Sequence, residues 1–93
     1  MTPCIPILDD AAVLAALDGL DVKAVLRRTF GALHRGEAVQ PPQTLTLFPN
    51  DAGDFITYAG VVGPAKVFGA KLSPYIVGPG GARVTAWTLL MSM

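Results

Sequence analysis

The spacing of apolar residues changes partway along the chain. Before the double proline Pro41-Pro42 they recur every three or four positions, as on one face of a helix. After it they alternate every second position, as in a strand.

The first half predicts two helices. Asp9-Asp10 precede Ala11-Ala12-Val13-Leu14-Ala15-Ala16-Leu17, in which Val13, Leu14 and Leu17 share a face. An aspartate at such a start accepts hydrogen bonds from the unpaired N–H groups of the first turn. Asp18-Gly19 marks the stop, and Asp21 opens a second segment reaching Arg35. There Val22, Val25, Leu26, Phe30 and Leu33 make one apolar stripe, and Gly36 is placed as the left-handed terminator. Arg27, Arg28, His34 and Arg35 gather in the C-terminal half, where positive charge complements the helix dipole. This basic cluster reads first as a solvated helix end and second as a phosphate-binding surface.

The second half predicts strands. Thr44-Leu45-Thr46-Leu47-Phe48 alternates, and Pro49-Asn50-Asp51-Ala52-Gly53 reads as a turn. Strand-like runs follow at 54–59 and 66–76, separated by Gly60, Gly63 and Pro64. Gly78-Pro79-Gly80-Gly81 is a tight or flexible loop before a last β-prone run, 83–93. Two helices followed by strands give an α+β fold. We expect two N-terminal helices packed on a mixed or antiparallel sheet of three to five strands, in one domain over 1–93. The final run stays apolar to Met93, the pattern of a strand cut from something longer.

Composition sharpens this picture. Apolar residues make up 52% of the 93, charged residues 15%, and mean hydropathy is +0.49. Disorder, which needs low hydrophobicity and high net charge, is excluded. So few charges cannot cover a small monomer comfortably, so a homo-oligomer, a dimer through the sheet, is expected. Seven basic residues balance seven acidic ones, leaving no global field for nucleic acid or acidic lipid. No apolar run approaches the ~18 residues of a membrane span. The opening Met1-Thr2-Pro3-Cys4-Ile5-Pro6 lacks the basic and apolar regions of a signal peptide, so a soluble cytoplasmic chain is expected. The lone Cys4 can form no internal disulfide.

Candidate chemistry is sparse. His34 and Cys4 have no companions at metal-ligand spacing, and read as a surface residue and a packing residue. The loop from Gly78 to Arg83 lacks G-x-G-x-x-G and Gly-Lys-Ser/Thr and leads into a strand, so it connects rather than cradles phosphate. Nucleophile-elbow and triad patterns are absent. Lys71 lies among small and apolar residues in Val67-Phe68-Gly69-Ala70-Lys71-Leu72-Ser73. If it shares a face with Gly69 and Ser73, its ammonium points where a small molecule could approach over Gly69. It could equally guard an exposed strand edge against aggregation. Gln43, at the head of the first strand, is a pocket amide or a loop residue.

Taken together, Gly36-Glu37-Ala38-Val39-Gln40-Pro41-Pro42-Gln43, Gly69-Ala70-Lys71 and Val84-Thr85-Ala86-Trp87 occur in a familiar order, with Pro6-Ile7-Leu8-Asp9 ahead of a helix. They resemble the start of the ornithine cyclodeaminase/mu-crystallin family over nearly the whole chain. The resemblance implies an NAD(P)-dependent oxidoreductase, a cyclodeaminase, ketimine reductase or amino-acid dehydrogenase. Its first portion binds an amino, imino or keto acid and forms a dimer, and a Rossmann domain follows. It implies that Lys71 contacts the substrate carboxylate and aligns the reacting carbon with the nicotinamide. It also implies that Thr85 lies near the cofactor, NAD or NADP. Gln43 stands where the family usually has arginine, a neutral amide for a bidentate cation. Thr57-Tyr58-Ala59-Gly60 replaces the usual Met-Pro-Ala-Tyr. The dinucleotide fingerprint is not among these residues, so these 93 residues alone are expected to be inactive and to bind no dinucleotide. Two alternatives accompany this reading: a non-catalytic interaction module, and half of a split enzyme completed by a separate dinucleotide-binding chain.

Overall fold

The computed structural model describes residues 4–93. Met1–Pro3, the start of the N-terminal stretch considered above, lie outside the described residues. Both predicted helices form: α1 is Asp10–Leu17 and α2 is Val22–His34. Their starts are capped as the sequence suggests. Asp9 Oδ1 accepts from the Ala12 N–H at 2.9 Å, and Asp21 Oδ1 accepts from the Ala24 N–H at 3.1 Å. Removing the second cap, Asp21→Ala, is expected to lower stability by about 1 kcal/mol, read as a shift in the urea midpoint. Helix α2 ends as a Schellman motif. The Glu37 N–H reaches back to the Ala32 carbonyl at 2.8 Å and the Gly36 N–H to that of Leu33 at 3.2 Å, with Gly36 at φ 77°.

After the helices come β1 (Ala38–Val39), β2 (Thr44–Leu47), one 3-10 turn at Pro49–Asp51, β3 (Gly53–Val62), β4 (Val67–Gly78), β5 (Gly81–Val84) and β6 (Trp87–Ser92). The fold is α+β, and every strand pairing is antiparallel, so the mixed alternative falls away. The described residues form six strands where three to five were expected, but these occupy only four lateral positions. β1 and β2 lie end to end along one edge of β3, and β5 and β6 lie end to end along β4.

Proline explains both interruptions. Pro41-Pro42 separate β1 from β2, and neither carries an N–H for a ladder. β5 and β6 share one register on β4, with Tyr75↔Val84 and Leu72↔Trp87. Thr85-Ala86 therefore fall opposite Pro74 and Ser73, where Pro74 again has no N–H to give. The single run foreseen for 83–93 is thus two strands. The Gly-Pro-Gly-Gly stretch is the tight form of the expected loop: Gly78 pairs with Gly81 across a two-residue tip.

The sheet is poorly covered. Among the described residues only Ala32 and Ala38 are buried. Helix α2 meets β1 and β3 near its C-terminal end, through Ala32 and the small residues around it. The stripe of Val22, Val25, Leu26, Phe30 and Leu33 exists, yet all five remain exposed. Helix α1 buries none of its residues. The chain exposes 7881 Å², whereas a compact monomer of this mass exposes about 5,100 Å². Its radius of gyration is 16.2 Å, against about 12 Å for a compact domain of this length.

Candidate functional site

Lys71 lies in the middle of β4, the central long strand. Its partner across β3 is Tyr58 and its partner across β6 is Thr88. Directly opposed residues of antiparallel strands project from the same face, so these three side chains form one row. The Lys71 Nζ lies over the Tyr58 ring, 4.6 Å from its centroid. At an exposed position such a cation–π contact contributes about 0.5–1 kcal/mol, enough to bias a flexible lysine toward one direction.

Beside this row is a shallow cavity of about 260 Å³. Gly60, Val62, Val67 and Leu90 form its apolar part, while Lys71, Thr88 and Tyr58 supply its polar side-chain atoms. An anionic head would find an ammonium and a hydroxyl there, with apolar wall for the rest of the molecule. The nearest carboxylate on that face of β3 is Asp54, four residues from Tyr58 and so about 13 Å along the strand. The row can bind and orient an anion; it carries no neighbouring carboxylate base.

Lys71 does share its face with Gly69 and Ser73, and Gly69 lines the cavity beside it. A Cβ at Gly69 would collide with the Leu89 carbonyl oxygen and press on Leu90 Cδ2. The close approach that Gly69 permits is that of β6.

The other candidates are placed apart from Lys71. Gln43 is exposed and directly precedes Thr44, whose partner is Thr57, so the next step of that ladder points to Tyr58. Two strand spacings, about 10 Å, separate it from Lys71. Thr85 sits in the break between β5 and β6 and lines a different cavity of about 660 Å³, with the approach to α1 and with Trp87. Thr88 lines both cavities and is the threonine that joins Lys71. Neither Thr88 nor Tyr58 was picked out as a site residue, because each meets Lys71 only through the strand register.

A dinucleotide finds no fitting cradle in these residues. A pyrophosphate needs free N–H groups at a helix start behind a glycine turn. Here both helix starts already hold their own aspartate carboxylates, and the Gly78–Gly81 turn joins two antiparallel strands.

Comparison with known proteins gives a close likeness. No family model matches the chain. Over 87 residues, 94% of its length, it is 48% identical to the NAD(P)H-dependent anabolic L-arginine dehydrogenase DauB of Pseudomonas aeruginosa. The chain spans about 28% of the length of that relative. No helix among the described residues is long and apolar enough to cross a membrane.

Proposed function

We propose that the chain is the substrate-binding and assembly-forming portion of a cytoplasmic, NAD(P)-dependent oxidoreductase of the ornithine cyclodeaminase/mu-crystallin family. Its substrate is an amino acid or the corresponding imino or keto acid. The observation that carries the reading is the row Tyr58–Lys71–Thr88, a directed ammonium and a hydroxyl at the rim of an apolar cavity. The 48% identity to an amino-acid dehydrogenase supports the reaction class.

In this reading Lys71 receives the substrate carboxylate, and Thr88 donates a second hydrogen bond to it. Tyr58 keeps the ammonium from swinging into solvent. Fixing the carboxylate fixes the direction of the neighbouring Cα, the carbon at which such an enzyme works. Thr85, in the break between β5 and β6, remains on the side proposed for the cofactor. The dinucleotide itself is held by residues other than these.

Calorimetric titration of the chain with L-arginine, L-ornithine and their 2-keto acids tests the reading. A hydrogen bond to a charged group contributes about 1.5–3 kcal/mol, so Lys71→Ala should weaken binding at least tenfold. Gln43→Arg should tighten it, because a guanidinium reaches in from the edge toward the same head group. Equal affinity in Lys71→Ala and the unaltered chain would contradict the assignment. Absence of binding in all three forms favours the interaction module, a reading that the neutral Gln43 also supports.

A further inference from the structure

The basic cluster of α2 is not absorbed by this function. Arg27, Arg28 and Arg35 are exposed, and they line one cavity of about 450 Å³ together with Val25, Ala32, Val62 and Pro64. No carboxylate lines that cavity. Among the described residues the one ion pair is Arg35 to Glu37, at 3.2 Å, which leaves Arg27 and Arg28 without an acidic partner.

Arg35 is paired with Glu37 and passes close over Gly31. Glu37 accepts from its Nη2, and its Nη1 lies 3.1 Å from where a Cβ on Gly31 would be. Glycine in a helix interior is unfavourable relative to alanine. At position 31 it gives the guanidinium its clearance. The turn from Gly63 to Lys66, which forms the far wall, is tied to the same end of the helix: the Gly63 N–H donates to the Glu37 carbonyl at 2.9 Å. The cavity therefore joins three guanidinium groups, one of them paired with Glu37, to a small apolar floor at Ala32, Val62 and Pro64.

We propose that this cavity is a binding site for a small oxyanion of the phosphate or polycarboxylate class. Guanidinium groups bind such anions bidentately, and two unpaired ones beside a third paired with Glu37 suit a ligand with more than one negative charge. The site is separate from Lys71, and the proposal does not rest on the function given above.

Amide NMR of the chain, titrated with inorganic phosphate, with citrate, and with sodium chloride at matched ionic strength, tests it. Saturable shifts confined to 27–35 and 62–65 are expected with phosphate or citrate, and the stronger of the two identifies the ligand source. Arg28→Gln and Arg35→Gln should each weaken binding at least tenfold. Gly31→Ala should weaken it severalfold while helix content holds or rises, an outcome that unfolding cannot produce. Lys71→Ala should leave it unchanged, which keeps this test distinct from that of the carboxylate site. Shifts no larger than with chloride, or an equal loss in the distant Arg83→Gln, would overturn the proposal.

Discussion

Gly69→Val is expected to strip β6 from the sheet at a cost on the order of 3 kcal/mol. Any Cβ at this position meets the Leu89 carbonyl oxygen, and the branched valine adds volume where Leu90 already presses. Backbone cannot yield there without breaking the ladder from Val67↔Ser92 to Leu72↔Trp87. A chain of this length has about 5–14 kcal/mol of total stability, so the loss would be a large fraction of it. Urea unfolding should show the shift in midpoint, and the amides of β6 should lose protection from hydrogen exchange. An unchanged midpoint with β6 still protected would mean that the close approach at Gly69 does not hold the strand.

The second large effect concerns association. On the face opposite the Lys71 row, Leu72, Trp87, Leu89 and Met91 lie together, with Trp87 65% and Leu89 59% exposed. The uncovered stripe of α2 adds further exposed apolar surface. Burial of one such leucine stabilises by about 2–3 kcal/mol. Sedimentation of the chain is therefore expected to show a dimer or larger species. Leu89→Glu should weaken that association about a hundredfold. A single monomer across the concentration range would count against assembly through this face.

Much of the fold was legible because its signals are local. Asp9, Asp21 and Gly36 act within one helical turn of themselves, and the predicted caps and stop are where the structure has them. The tight turn at Gly78–Gly81 is local in the same way. The strand count was not legible, since the effect of Pro74 on the last strand acts across the sheet. The direction of α2 was misleading for another reason. An apolar stripe states which face will be buried somewhere, and this chain does not bury it.

The candidate site divides along the same line. Lys71, Gly69 and Ser73 alternate on one strand, so their shared face followed from spacing alone. Tyr58 and Thr88 reach Lys71 from other strands, and no pattern within either strand reveals its register. Thr85 came from the family resemblance, and the structure sets it in the neighbouring cavity, three residues from the threonine that meets Lys71.

The chain has three lysines, Lys23, Lys66 and Lys71, so the central claim has a direct readout. Side-chain NMR of the lysine ε-methylene groups, followed during titration with L-arginine and then with its decarboxylated amine, observes the proposed contact itself. The expected result is a saturable shift of the Lys71 signal with L-arginine alone, while Lys23 and Lys66 stay in place. Equal movement of all three lysines, or an equal response of Lys71 to the amine that lacks a carboxylate, would contradict the claim that Lys71 receives a substrate carboxylate.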